Sequence, residues 1–417
     1  MTAWKRNYHW IVLISCCLMV AVSIGLFINA YGVYYTPLTQ KLGVGRAAVA
    51  MHSTIAGLVT GFSMPLVVKL MKKIRLQIMI AIGCCLMVMS LVFTAFASQV
   101  WMLNVLGVVR GIGCAFTYLT LVNIVLANWF EKKYGTVVGI ASSFSGLAGA
   151  LLSPVFSSLV TSAGYRNTLL IEAGLVLMMV LPGILFVRLR PEELGLLPYG
   201  RTETPNKGAS DLKAASTTTT QESSSQKEVH FLKLPVFWFL LIGGFFSIFV
   251  TSFSQHMSGY TESIGVGTAV GVAMLSASMI GNIAGKLLMG ILIDIMGATK
   301  TVILFLLLGS VGILILLLLP TPTFLLIGGF LFGALYSVGT VGGANLCRQA
   351  FSKKQYSTAY SVMSLSGSAS AALSITVIGA IYDSMQNYVP VLIGAVAFCL
   401  ASVICQVLAG KVMKKSK

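Results

Sequence analysis

Two hydrophobic stretches of nearly equal length, 10–187 and 234–410, flank one long polar segment, and each can cross a bilayer six times. A hydrocarbon core of about 30 Å takes roughly 20 apolar helical residues, so very little of this chain can face water. Helices are required rather than strands. Lipid offers no partner to backbone N–H and C=O groups, and barrel strands would show a period-two pattern over shorter segments. Six spans can be marked in each half: 10–34, 47–70, 77–97, 101–128, 136–161 and 167–187, then 236–257, 267–292, 301–319, 323–346, 358–382 and 388–410. The first is too long for the apolar core of a cleavable signal and no small-residue cleavage site follows it, so it is read as a retained helix.

Charge then sets the expected orientation. The chain carries 28 Lys and Arg against 11 Asp and Glu. With both termini inside, 23 of the basic residues fall on the inner side, three outside (Lys41, Arg46, Arg166) and two within spans. Basic loops stay cytoplasmic, so both termini are expected in the cytoplasm of a cell-membrane protein, and the net charge of +17 reports topology and anionic-lipid contact rather than nucleic-acid binding. The eight cysteines all lie in or at the edge of apolar spans, with no His or acid at ligand spacing, so they read as packing residues and neither a disulfide framework nor a metal site is expected. No nucleophile–base pair, metal cluster or nucleotide loop is visible, and "GIGCAF" is a lone glycine pattern inside a span. An enzyme is not expected, nor a cofactor.

From Pro191 to Gln226 the composition turns to Ser, Thr, Lys and Glu without apolar periodicity, the mark of a flexible linker. The expected organisation is an N-terminal six-helix domain over 1–190, a cytoplasmic linker over 191–232 and a C-terminal six-helix domain over 233–417. Two such bodies can move against one another, as in transporters built from repeats.

The segment "GILIDIMGATK" at the end of the eighth span resembles the signature loop of the major facilitator superfamily. In it Gly290 permits close helix approach, Asp294 sets a carboxylate at the helix end, Gly297 makes the turn and Lys300 adds inner charge. The equivalent loop of the first half, "LVVKLMKKIRL", has Lys72 where the acid would stand. The strings "NWFEKKYGTVVGIASSFSGLAGALLSP", "RLRPEELGLLPYG", "SQHMSGYTESIG" and "SGSASAALSITVIGAIYD" are similar to the monocarboxylate-porter and oxalate/formate-antiporter branch of that superfamily. The resemblance implies an all-α fold of twelve transmembrane helices in two six-helix pseudo-symmetric bundles, working as a monomer in lipid on a small organic anion, with a proton or a counter-anion as its coupling partner.

Two cations sit inside spans. Lys286 precedes Asp294 by eight residues, about 12 Å at 1.5 Å per residue. An intramembrane charge is costly and faces a wet cavity, a counter-ion or a substrate by default. The alternative is a side chain snorkelling to the inner surface. The resembling branch carries an arginine at this point, where it binds the substrate carboxylate; lysine supplies the charge without the two-pronged grip. Arg110, in "LGVVRGIGCAFTY", resembles the helix 4 arginine of proton-coupled relatives. It reads equally as a second cavity cation or as a structural residue bonded to buried carbonyls.

Other members of the branch carry ionisable groups that this chain lacks. Asn29 stands where proton-coupled relatives have a lysine, Asn282 where they have an aspartate, and Met363 where the oxalate exchanger has a second cation. The resemblance thus implies a single-carboxylate cargo and no proton relay of the usual kind. Tyr31, Tyr34, Tyr35, Tyr118, Tyr336 and Tyr360 are candidates to line a central path, with packing as the plain alternative. His52 and His256 are placed toward outer span ends, as is Glu172, and no acid is evident beside Lys286. Three functions follow: a secondary transporter of small monocarboxylates, an exporter of drugs or other solutes, and a non-transporting receptor or scaffold. An exporter would be expected to show an acid in its cavity; a scaffold would need neither buried cation.

Overall fold

The computed structural model of the protein describes residues 3–201 and 231–415. Among the described residues eleven helices are long and apolar enough to cross a membrane, and one of them is two spans in series. Along the chain they are α1 (Asn7–Leu42), α2 (Ala48–Leu70), α3 (Leu76–Phe96) and α4 (Val100–Trp129). The 53-residue helix Tyr134–Phe186 bends at Gly164, whose φ of 80° is open to glycine and strained for other residues. It is therefore counted as α5 (134–163) and α6 (165–186). The second half holds α7 (Pro235–Ser263), α8 (Ala269–Met296), α9 (Ala298–Leu318), α10 (Pro322–Ala350), α11 (Lys353–Met385) and α12 (Val389–Lys414). The twelve expected spans are all present. α1 is longer than expected, 36 residues, because its polar ends continue the helix beyond the apolar core.

The helix ends follow local chemistry. Pro235 and Pro322 open α7 and α10 at the first turn, where a missing N–H costs nothing. Ser352 caps α11 by accepting from the Gln355 amide at 3.4 Å. Gly297, with φ of 89°, separates α8 from α9.

The first helix of each successive triplet is interrupted. α1 passes into a π-helical stretch, Ala21–Ala30, then a 3-10 turn, Tyr31–Tyr34. α4 breaks at Tyr118, whose backbone is extended. α7 carries a 3-10 segment, Ser252–His256, and α10 a π segment, Val338–Gly342. Irregular turns inside membrane helices are tolerated only where protein or a wet cavity satisfies the backbone, and they recur at functional sites.

The halves meet along α5 with α8 and α2 with α11. On the first seam the contact is backbone to backbone: a Cβ on Gly290 would lie 2.5 Å from the Gly135 carbonyl oxygen, and one on Gly139 would lie 2.5 Å from the Lys286 carbonyl oxygen. Small residues permit this approach in lipid, where packing has to hold helices together. On the second seam a Cβ on Gly61 would meet Ser368.

The start of the expected linker is folded. Pro191–Leu194 forms a 3-10 turn, and Tyr199 pairs with the α4–α5 turn, donating its amide to the Trp129 carbonyl at 2.8 Å and accepting from Glu131 at 3.0 Å. The Leu197 carbonyl lies 2.8 Å from His9 Nε2, and Trp10 meets Phe130 and Tyr199 edge to face while those two rings are tilted against each other. Polar composition alone concealed this, since the contacts are made by the main chain, by the His9 ring and by the rings of Trp10, Phe130 and Tyr199. The linker residues 202–230 lie outside the described residues. This strap and both ends of the described chain share one face, the terminal face.

Candidate functional site

Midway through the bundle, Lys286 of α8 reaches across the seam and donates from Nζ to Ser145 Oγ of α5 at 2.8 Å. The side chain is 4% exposed, so it does not snorkel to the surface. Ser145 in turn donates to the Ser142 carbonyl, and its own carbonyl accepts from Asn29 Nδ2 of α1 at 2.9 Å. Asn282, one helical turn before Lys286, is also buried, and its Oδ1 has no partner. Two candidates from two different helices, Asn29 of α1 and Lys286 of α8, thus converge on one serine, with Asn282 one turn away on α8. Among the described residues the sole ion pair within 4.0 Å is Lys353–Glu131 at the terminal face, so no carboxylate neutralises Lys286.

Arg110 and Tyr31 do not join this group. Arg110, 2% exposed, lies inside the first half with its guanidinium 4.1 Å above the Tyr31 ring, and its Nη2 donates to Ser53 Oγ at 3.1 Å. Its bonded partner is a hydroxyl rather than the buried carbonyls considered from the sequence. Nearby, the Tyr34 hydroxyl donates to Glu172 Oε2 at 2.6 Å. Glu172, within the first turns of α6 after the break at Gly164, is fully buried, with the tyrosines of α1 turned inward at the π-to-3-10 switch. His52 is likewise buried, 5.0 Å from the Tyr31 ring centre and beneath Gly107 of α4. Glu172 is thus an acid buried within the first half and bonded to Tyr34, and Tyr31 and Tyr34 pack within the first half instead of lining a path between the halves.

Tyr360 and Tyr118 belong to a third group. Asn123 of α4 donates to the Tyr360 hydroxyl at 2.8 Å, Thr120 donates to Ser364 at 2.8 Å, and the Tyr134 and Tyr356 hydroxyls lie 2.9 Å apart. Tyr118 is half-buried beside this cluster. Met363 lines a narrow cleft inside the second half with Ile248, Tyr360 and Gln406. Closer to the terminal face, Arg348 donates to the Phe130 carbonyl at 2.8 Å and stacks on the Tyr134 ring at 4.0 Å.

Asp294 completes this fastening. Its Oδ1 accepts from the Gly135 amide at 2.9 Å, and its Oδ2 accepts from the Thr136 amide at 2.7 Å and the Thr136 hydroxyl at 2.6 Å. A carboxylate is favoured there by the free N–H groups and partial positive charge of a helix start. Gly290, one turn back, gives Gly135 the room to approach. Among the described residues, the side-chain hydrogen bonds joining the halves run from Lys286 and Thr120 to the terminal face. The bundle is fastened at that face.

Ser145, Ser364, Asn123 and Thr136 were not singled out from the sequence, and Glu172 was noted there without a partner. Glu172 alone carried a signal, as a rare acid in an apolar run. The serines are hidden among many that only bond back to their own helix. All eight cysteines are free, and no group of three His, Cys, Asp or Glu able to hold a metal occurs among the described residues.

Twelve apolar helices in two halves, with broken helices inside and a polar seam between, define a multi-pass membrane protein. The chain belongs to the Major Facilitator Superfamily, whose family model matches residues 16–285 and 261–414. Its relatives are transporters and not enzymes. It is 25% identical over 69% of its length to monocarboxylate transporter 12-B of Danio rerio, and 26% identical over 70% to monocarboxylate transporter 12 of Xenopus laevis. The chain spans 62% and 66% of those relatives. In fold it is similar to the crystal structure of the superfamily transporter FucP in the outward conformation, with a TM-score of 0.63, 15% identity, and coverage of 97% of this chain and 99% of that one.

Proposed function

We propose that this transporter moves small monocarboxylate anions by alternating access, with Lys286 as the group that receives the carboxylate. The observation that carries the reading is a buried ammonium on the seam between the halves with no carboxylate beside it. Such a charge is strongly disfavoured in a low-dielectric interior unless something neutralises it, and an anionic cargo is the partner that fits. Asn29 and Asn282 add amide groups on either side. Arg110 serves the site from behind Tyr31 rather than by direct contact. Tyr118, Tyr360 and Met363 shape the closed end of the path.

The excess of Lys and Arg in the loops of the terminal face sets that face in the cytoplasm of the cell membrane. The contacts of Asp294, Arg348 and Tyr360 then form the inner gate, and Gly290 and Gly297 let α8 meet α5 and turn away. The two six-helix domains move as bodies about the α5–α8 seam. A monomer is sufficient, because the path lies within one chain.

The test is uptake of a labelled panel of lactate, pyruvate and formate by purified protein in liposomes, compared with Lys286→Gln and Lys286→Arg. Loss of uptake in Lys286→Gln with partial retention in Lys286→Arg is expected. Undiminished uptake in the folded Gln variant would overturn the assignment of Lys286.

A further inference from the structure

At the terminal face the second half takes hold of the first at the α4–α5 turn. Arg348 of α10 bonds the Phe130 carbonyl and covers the Tyr134 ring, Lys353 of α11 pairs with Glu131 at 3.1 Å, and Asp294 of α8 accepts from the Gly135 and Thr136 amides. The strap holds the same turn from within the first half. Tyr199 donates its amide to the Trp129 carbonyl at 2.8 Å, and its carbonyl accepts from the Glu131 and Lys132 amides at 3.0 and 3.2 Å, a one-residue bridge beside Phe130. The chain entering the strap is fixed by Asn128 and Trp129, whose side chains donate to the Leu189 and Arg188 carbonyls. Gly200, with φ of 93°, lies so close that a Cβ there would stand 2.5 Å from Lys132 Cγ.

A strained residue lies at the junction of these two grips. Lys133 has φ of 58° and ψ of 26°, the left-handed region in which a Cβ crowds the following carbonyl oxygen. Such a conformation persists only where its surroundings over-determine it. The strap bonds residues 129, 131 and 132, and the second half engages 130, 131 and 134–136, so each stabilises the turn conformation that the other needs. Two groups that favour one state of a shared element are coupled, and the coupling is reciprocal.

We infer that the strap is a working part of the gate: Tyr199 and Gly200 are positioning residues that set the α4–α5 turn to receive Asp294 and Arg348, and the strap docks as the terminal face closes and loosens as it opens. This rests on the reading of the terminal face as the inner gate. Among the described residues, the hydrogen bonds of the strap all stay within the first half. It therefore acts on closure only through the turn, and it touches neither Lys286 nor the seam at mid-membrane.

The experiment is hydrogen–deuterium exchange on the purified full chain in nanodiscs, read on peptides covering 129–133 and 195–201. It is paired with the distance between spin labels at positions 72 and 300, exposed on the terminal face in opposite halves. Asp294→Asn and Arg348→Gln change second-half residues that bond the turn and not the strap. Both should lengthen the label distance and speed exchange of the strap amides by roughly fivefold or more, the lower end of the range usual for coupled sites. In the other direction, Gly200→Ala should lengthen the distance and Gly195→Ala should not. Gly195 also has a positive φ, 65°, but a Cβ there meets nothing within 4 Å, so both variants strain the strap and one alone collides with the turn. Unchanged strap exchange in variants whose label distance has lengthened, or equal distances in Gly200→Ala and Gly195→Ala, would overturn the proposal, since a strap that is only part of the fold gives those results. If Asp294→Asn and Arg348→Gln leave the distance unaltered, the inner-gate reading fails, and the two glycine variants alone decide whether the strap sets the second half against the turn.

Discussion

Replacing Asp294 with asparagine should loosen the fastening of the terminal face. The carboxylate accepts three hydrogen bonds from the start of α5, from the Gly135 amide, the Thr136 amide and the Thr136 hydroxyl. Bonds to a charged acceptor contribute about 1.5–3 kcal/mol each where water is excluded. Asp294 is exposed, so water and salt screen much of this. Asparagine also keeps one acceptor oxygen. A net loss of about 1–2 kcal/mol remains, which shifts a two-state ratio roughly 5–30-fold. The shift should favour opening at the terminal face. Spin labels placed at positions 72 and 300, both exposed on that face on opposite halves, should show a longer distance population in Asp294→Asn. Asp383→Asn, at the opposite end of α11, serves as the control. Coincident distance distributions for wild type and Asp294→Asn would show that the carboxylate only anchors a helix end, and the reasoning would be wrong.

Lys286→Met should abolish monocarboxylate uptake while raising thermal stability by about 1–3 kcal/mol, because it removes an unneutralised buried charge and keeps the packing volume; an unaltered or lower melting temperature in lipid would count against that account. Gly290→Ala should force α5 and α8 apart at their terminal end, since its Cβ would lie 2.5 Å from a backbone oxygen, at a cost of about 1–3 kcal/mol; the same spin-label pair should report the separation, and an unchanged distance would refute it. Tyr360→Phe removes the acceptor of the Asn123 bond and should raise cysteine accessibility at the terminal face by a few-fold, measured by maleimide labelling. Lactate, pyruvate and formate should compete for uptake better than oxalate or succinate; stronger competition by the diacids would mean that Arg110 and Lys286 act as a pair on one cargo.

The spans, their number and the break near Gly164 were legible because an apolar run of membrane length leaves the chain few alternatives. Lys286 and Asp294 were legible for a related reason: a charge is conspicuous where apolar residues dominate. What escaped was everything decided by irregular backbone. The passage of α1 from π to 3-10 geometry turns Tyr31 and Tyr34 into the first half, and with them Arg110 and Glu172 take up positions that a regular helix would not give. No proline or glycine pair in 21–34 announces that switch. Ser145 escaped because its hydroxyl is one of three in "SSFSG", and which one faces α8 depends on the rotation of α5 about its axis. The strap at 191–201 was hidden for the opposite reason, its polar composition matching a free linker while its main chain pairs with the α4–α5 turn.

An ammonium has three N–H donors, and the bond from Lys286 to Ser145 occupies one. Two are left, the number a single carboxylate can accept with its two oxygens. A monoanion can therefore bind without displacing the serine, and while bound it adds to the tie between α5 and α8. Cargo arrival and closure across the seam then reinforce each other, because both draw on donors of the same nitrogen. A second carboxylate on the same molecule would find that nitrogen already fully engaged.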